Sequence, residues 1–429
     1  MTATPSARSS SPGHRSGLVL LVAPARSYRV ASYQQACARL GYRLMIVSDS
    51  KHSVIPAIAQ GITVDFDDPD SALERVLDAL DPQPVSSVIA TDDRVVALAS
   101  RIATALDLPH NAPDSAELTR RKDLARLRLR ETGCNTPAFR VLPVQAVIDA
   151  PQGVALGFPL VIKPLMLSGS RGVMRADTPQ QLSDAAATLQ EILAGESGSE
   201  YELTHCLVES YLDGQEIAFD GFVQNGCLRP LAVFDKPEPL TGPCFEETVY
   251  ITPSRHTEAV QRAILEEIER CCAAYGLRHG PVHAEARITD RGIVLLEMAS
   301  RTIGGQCASS LEFVLGAALE DVVLKLGQGE AWRPPDTEGY SGVLMIPIED
   351  LGILQRVEGL LEARRTPHVS DIEIHIQPGY ELVPLPRGAS YLGFIFAQAE
   401  DYDRLWQALR QAHARLRFVT RQRWSLEPA

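Results

Sequence analysis

The sequence has almost no lysine. Of its 41 basic residues only Lys51, Lys122, Lys163, Lys236 and Lys325 are lysines, and the rest are arginines. It also lacks a positive balance. The formal net charge is −13 and the pI is near 5.3, which argues against general binding to nucleic acid or to an anionic membrane, because both need a basic surface. No run approaches the roughly 20 apolar residues of a membrane-spanning helix, so a soluble chain with no membrane partner is expected. The eight cysteines (37, 134, 206, 227, 244, 271, 272 and 307) form no C-x-x-C pair and no Cys/His spacing of the zinc-site kind. They read as reduced thiols in small core positions and point to a cytoplasmic location. No G-x-G-x-x-G follows the first apolar strand, so a dinucleotide there has little support.

What is present is the composition of a folded protein: 429 residues, 45% hydrophobic and 22% charged, enough for two to four domains. Residues 1–16 are rich in Ser, Arg and Pro, have no signal-peptide core, and are expected to be a disordered leader. From Leu18 the run LVLLVA is continuously apolar, as a buried parallel strand is. RLMIVS (43–48), a helix near 71–80, VSSVIATDD (85–93) and the helical VVALASRIATAL (95–106) continue the alternation of strand and helix. An open parallel α/β domain over 17–111 is therefore expected, with the strand ends at Ala23 to Arg26 and Thr91 to Asp93 facing a cleft.

A second segment begins near Ala112. RRKDLARLRLRETG reads as a helix ended by Gly133, and GFPLVIKP (157–164) as a strand that ends in Lys163. The loop LSGSRGV (167–173) follows, with Ser168, Gly169, Ser170, Arg171 and Gly172. Its glycines would let backbone N–H groups close on an anion, although a plain turn between two strands would look the same. In so arginine-rich a chain, a lysine that persists suits a compact, rotatable ammonium of the kind that grips phosphate. Lys163 precedes the loop, Lys122 opens the preceding helix, and Lys236 sits in VFDKPEP; a solvent-facing placement is the alternative for each.

Two further stretches complete the pattern. CLVESYLDGQEIAFDGFV (206–223) carries Glu209, Tyr211, Leu212, Asp213-Gly214 and Glu216, and HAEARITDRGIVLLEMASR (283–301) carries Glu285, Glu297 and Arg301. VIKP, the glycine loop, E-x-Y-L-D-G-x-E and the E-x-x-x-R ending, in this order, resemble the ATP-grasp superfamily of carboxylate-amine ligases over roughly residues 112–330. The resemblance implies a mixed α/β and α+β ATP-grasp fold. Its parts would be the Rossmann-like N-terminal domain, a two-lobed ATP-grasp domain over 112–335 with a lid at about 130–208, and a C-terminal α+β domain over 336–429.

Hairpin geometry gives an independent reason for the two acids. If Asp290, Arg291 and Gly292 form a three-residue loop with Gly292 left-handed, Glu285 falls opposite Glu297. Facing Cβ atoms lie about 4.5–5.5 Å apart and like charges there repel; a divalent cation removes the conflict, and Mg²⁺ takes few carboxylates plus substrate phosphates. A two-residue loop would put the two acids on opposite faces.

The resemblance adds roles. It implies that Glu285 and Glu297 hold the metal, one or two Mg²⁺ ions with Mn²⁺ as a substitute, and that Arg301 steadies the transferring phosphoryl group. Lys122 and Lys163 would grip the ATP phosphates, and Ser168 to Gly172 would close over them. Glu209, Tyr211 and Leu212 would lie by the adenine and Glu216 by the ribose. The third metal ligand of the family, an Asn two residues after the second acid, is Ala299 here, which leaves the metal count open.

RTIGGQC (301–307), CFEETVYITPSR (244–255) and the stretches at 342–360 and 384–400 are similar to the L-amino acid ligase group within the superfamily. That likeness implies that Glu247, in preference to Glu246, meets a substrate amino group and that Gly304 and Gly305 line the pocket beside the acyl phosphate. Lys236 is a further substrate-side candidate. So is His283, which shares a strand face with Glu285. The expected reaction is ATP-dependent amide formation between small-molecule carboxylate and amine substrates, both amino acids or an amino acid and an amine, through an acyl phosphate. A phosphotransferase, a carboxylating enzyme like biotin carboxylase and a non-catalytic nucleotide-binding module are the alternatives. The oligomeric state stays open, a homodimer included.

Overall fold

The computed structural model describes residues 17–49, 60–80 and 83–422. The expected leader at 1–16 lies outside them. Four strands in the order Gln60–Thr63, Arg43–Ser48, Leu18–Val22, Val85–Ala90 form one sheet, and every pairing in it is parallel. Leu18–Val22 is buried at all five positions because both faces are covered. Leu18, Leu20 and Val22 pack with Val76, Leu98 and Ile102 of the flanking helices, whereas Val19 and Leu21 pack with Tyr33, Leu319 and Val323 on the other side. Period-two alternation of an all-apolar strand thus serves two cores, and each fully buried Leu or Val contributes about 1.5–3 kcal/mol.

The central sheet has eight antiparallel strands in the order Gly292–Ala299, His279–Thr289, Gln215–Gln224, Cys227–Asp235, Val249–Thr252, Tyr340–Ile346, Gly393–Ala399, Val369–Ile374. Strands of the C-terminal region therefore extend the sheet that carries the acidic hairpin: Tyr340–Ile346 pairs along the whole of Val249–Thr252 and leaves no unpaired edge there. A second four-stranded sheet (Phe139–Pro143, His205–Ser210, Leu160–Pro164, Met174–Ala176), over the span expected to form the lid, carries the helix Pro179–Leu193, whose Leu182, Ala186, Leu189 and Leu193 are buried at helical spacing against it. A three-stranded sheet near the C-terminus completes the fold.

The hairpin departs from the three-residue loop. Thr289 pairs with Gly292, so the loop is the two residues Asp290 and Arg291. Glu285 nevertheless pairs with Glu297, because a bulge between Glu285 and Ala286 passes over Leu296 and shifts the register by one. The bulge leaves the Leu296 carbonyl without a strand partner, and Arg126 Nη2 donates to it at 2.6 Å. A buried arginine thus fixes the register that places both acids.

Candidate active site

A cavity of about 1060 Å³ lies where the three main layers meet. Strand ends of the parallel sheet bring Tyr28, Arg29, Asp92 and Asp93; the second four-stranded sheet brings Lys163 and Ser168 to Ser170; the hairpin brings His283, Glu285, Glu297 and Arg301; the C-terminal region brings Met345, His375, Tyr391 and Phe394. The expected cleft-facing strand end at Thr91 to Asp93 is there because crossover helices leave that end of a parallel sheet open.

Lys122, at the start of the helix Lys122–Glu131, donates to the Leu167 carbonyl at 2.7 Å and pairs with Glu297 at 3.2 Å. It ties the acidic hairpin to the root of the glycine loop. Lys236 Nζ, 3% exposed, sits among Glu216 at 2.8 Å, Glu247 at 2.7 Å and Glu285 at 3.3 Å, and 4.8 Å over the Tyr250 ring. Burial raises the Glu247 pKa and repulsion by Glu285 raises it further. Glu285 is held low, at about 2: burial opposes ionisation, and Lys236 with His283 overcomes it. His283 lies 3.7 Å from Glu285 and 3.6 Å from Asp220; burial disfavours its cation, but the two carboxylates raise its pKa to about 9.

Glu209 is 2% exposed. Its carboxylate pairs with Lys163 at 2.7 Å and with Arg126, and although burial pushes its pKa up, the two cations bring it down to about 2. Tyr211 lines the cavity beside it, with Arg175 4.2 Å and Arg287 5.1 Å from its ring. Arg287 in turn donates to the Leu212 carbonyl and to Glu216. Gly214 is required in this turn: its φ is +127°, and a Cβ would collide with the Ile288 carbonyl oxygen.

The glycine loop is tied to the C-terminal region. Gly172 N–H donates to the Pro386 carbonyl at 2.9 Å, Arg171 Nε to the Arg387 carbonyl at 2.8 Å, and Arg387 pairs with Glu191 at 2.5 Å. The glycine loop is thus held by the same C-terminal stretch that continues into Ser390 and Tyr391 of the cavity wall.

Of the residues singled out from sequence, Lys122, Lys163, Ser168, Gly169, Ser170, Glu209, Tyr211, Leu212, Glu216, Glu247, His283, Glu285, Glu297, Arg301, Gly304 and Gly305 line this one cavity. Four are placed behind it. Arg171 turns to Glu196 and Arg387, Gly172 packs on Pro164 and Leu189, Lys236 sits beneath the acids, and Glu246 lies by Glu349. Tyr250, His375, Tyr391 and Phe394 also line the cavity and were not singled out. No local motif marks them, whereas Asp93 was signalled by its place at a parallel strand end.

Glu285 and Glu297 are cross-strand partners that both line the cavity, and their carboxylates are oxygen ligands of the kind Mg²⁺ takes. The carboxylates of Glu216, Glu247 and Glu285, within 4.8 Å of one another, are already gathered around the Lys236 ammonium.

Family models match three segments: an ATP-grasp N-terminal domain at 33–110, an ATP-grasp domain at 156–310 and L-amino acid ligase C-terminal domain 2 at 344–421. This is an ATP-grasp protein. The ATP-grasp chain is 26% identical over 330 residues to the uncharacterised protein y4rH of Sinorhizobium fredii, covering 73% of this chain and 64% of that one. It is 25% identical over 284 residues to the alanine–anticapsin ligase of Bacillus amyloliquefaciens, covering 61% and 58%. The match thus spans less than two thirds of the length of these two curated relatives. The crystal structure of an L-amino acid ligase from Bacillus licheniformis superposes with a TM-score of 0.78 at 22% identity, covering 95% of this chain and 99% of that one, which establishes the common fold. Among the described residues no helix is long and apolar enough to cross a membrane.

Proposed function

We propose that this ATP-grasp chain is an ATP- and Mg²⁺-dependent ligase that joins a carboxylate to an amine, with an amino acid as at least one substrate, through an acyl phosphate. The observation that carries the reading is the pairing of Glu285 with Glu297 in a cavity that Lys122, Lys163 and Arg301 also line. A divalent ion held by Glu285 and Glu297 would neutralise charge on the triphosphate.

The chain's own residues supply the rest. Lys122 and Lys163 are cations aimed into the same space, and the serines and glycine of the 168–170 loop cover it. A carboxylate is a poor electrophile; transfer of the γ-phosphoryl group to it creates a good leaving group, and positioning with electrostatic stabilisation carries that step. Arg301 is half-buried and stays cationic: desolvation opposes its charge, but the Asp93 carboxylate at 2.8 Å holds its pKa above the ordinary value. It suits the negative charge of the acyl phosphate. A lid closing over the bound nucleotide would exclude water, so that the intermediate would meet the amine first. Glu247 at the substrate end suits an amino group on the acyl substrate.

Phosphate release measured with ATP and Mg²⁺ across amino acids, singly and in pairs, tests this. Release that needs a carboxylate and an amine together is expected. Release with a single phosphorylated product and no amine requirement would overturn the ligase in favour of a phosphotransferase.

A further inference from the structure

We infer that Tyr28 selects the amine substrate: its ring is the surface on which an apolar substituent of the incoming amine lies. The inference rests on the ligase reading above and names the class of the second substrate.

Tyr28 stands between the strand Leu18–Val22 and the helix Arg29–Leu40. It is 49% exposed. A single exposed apolar side chain calls for no reason of its own, but this ring is open within the wall of the main cavity. Arg29, whose guanidinium donates to the Thr91 and Ile303 carbonyls at 2.9 and 3.2 Å, lies 4.7 Å over the ring and helps to hold it there.

Two consecutive glycines show which substrate the ring meets. A Cβ on Gly304 would lie 3.4 Å from Arg29 Nη2 and 3.5 Å from the Tyr28 hydroxyl oxygen, whereas a Cβ on Gly305 would lie 2.5 Å from Met345 Sδ. Just after Arg301, the chain thus turns one glycine to the N-terminal domain and the next to the C-terminal region. Glu247, the acid suited to the amino group of the acyl substrate, lies by Tyr391, on the C-terminal side. The acyl substrate therefore occupies the Gly305 side, and the space before Tyr28 is left for the nucleophile. That space adjoins the reacting group, because the Arg301 charge acts on the Tyr28 hydroxyl.

The rest of this wall sets the chemistry of the substituent. Pro24, Phe66 and Leu98 of the same domain also line the cavity. The charged groups there are already paired, Arg94 with Asp67 at 3.0 Å, Arg29 with Asp92 at 3.4 Å and Asp93 with Arg301 at 2.8 Å. Among the described residues, a charged substituent would find no unpaired counter-charge on this wall and would lose hydration. An apolar one gains by leaving water. The substrate class is an amine with an apolar side chain, such as leucine or phenylalanine reacting through its amino group.

The test is a competition for one acyl phosphate. The full-length enzyme, with ATP, Mg²⁺ and the acyl amino acid that gives most phosphate release, is offered glycine, leucine and phenylalanine together. Tandem mass spectrometry then compares the dipeptides of that acyl amino acid that carry each of the three at the carboxy-terminal end. Leucine and phenylalanine products should exceed the glycine product by about tenfold or more, as for substrates that differ by methylene groups in an apolar pocket. Tyr28→Ala should bring the three products within about threefold of one another, and Tyr28→Leu, which keeps an apolar surface, should recover most of the preference. Gly304→Ala, which fills the space before the Tyr28 hydroxyl, should lower phenylalanine relative to glycine, and carries the comparison if Tyr28→Ala is unfolded by circular dichroism. A parent enzyme that favours glycine, or variants that keep the parent ratios, would overturn the inference. So would a hydroxamate trapped with hydroxylamine when none of the three dipeptides forms, and the ligase reading would then stand. Absence of ADP, hydroxamate and dipeptide alike with the parent enzyme would instead remove the ligase reading, and this inference with it.

Discussion

Lys163 Nζ lies 2.7 Å from Glu209 Oε2, in the second four-stranded sheet, and Arg126 reaches the same carboxylate from the helix Lys122–Glu131. Because Arg126 also donates to the carbonyl of the bulged Leu296, one buried acid connects that sheet, the helix and the acidic hairpin.

Stability should fall in acid through Glu209. Its folded pKa is about 2, below the ~4.3 of an unfolded chain. The contribution is complete above about pH 4.3 and disappears as the pH drops toward 2, since the unfolded state binds the proton first. Glu209→Gln should flatten that part of a melting-temperature profile. It should also destabilise at pH 7 by about 3–5 kcal/mol, because it leaves the buried Arg126 and the half-buried Lys163 without their shared counter-charge. A profile between pH 5 and 2.5 with the same slope in both proteins would exclude this role.

Arg301→Ala should reduce turnover at least a hundredfold, the scale of removing a donor aimed at developing charge, while nucleotide affinity measured by calorimetry changes little. Arg301→Lys should not restore activity, since Nη1 and Nη2 serve the Thr302 carbonyl and Asp93 at once and an ammonium cannot span both. Loss of ATP binding in a folded Arg301→Ala protein would count against its place at the acyl phosphate.

Glu285→Gln and Glu297→Gln should each abolish the rise in melting temperature that Mg²⁺ with ATP gives the parent protein. Binding to the native state alone stabilises it by about 2.7 kcal/mol at a hundred times Kd, so the effect is readily measured. Retention of that rise in the double variant would place the ion elsewhere.

Arg387→Ala should loosen the glycine loop only slightly. Its pair with Glu191 is exposed and worth about 0–1 kcal/mol, and the backbone contacts at Gly172 and Arg171 remain. A rise in the KM for ATP of less than about fivefold is expected, with faster proteolysis of the 165–175 loop in the absence of nucleotide. A hundredfold rise would mean that the C-terminal stretch does more than hold the loop.

Much of the architecture was legible because it rests on local pattern. The LVLLV strand is apolar throughout because two helical layers cover it, and Lys163 was found because lysine is so scarce. The hairpin shows the limit. Its turn chemistry suggested three loop residues, whereas the structure uses two and recovers the register with a bulge, an outcome set by Arg126 from a helix more than a hundred residues away in sequence. Arg171 shows another: it reads as part of a phosphate loop, yet its guanidinium is taken by Glu196 and the Arg387 carbonyl.

The sequence alone determined the alternation of elements, the ATP-grasp signature and the identity of the paired acids, all of which depend on spacing along the chain or on residue type. Only the tertiary structure decided which side chains share the cavity. Asp93, Tyr250, Tyr391 and Phe394 reach it from separate segments, and whether an aromatic ring such as Tyr33 is packed into the core or, like Tyr28, left exposed in the cavity depends on packing between distant strands that no local pattern encodes.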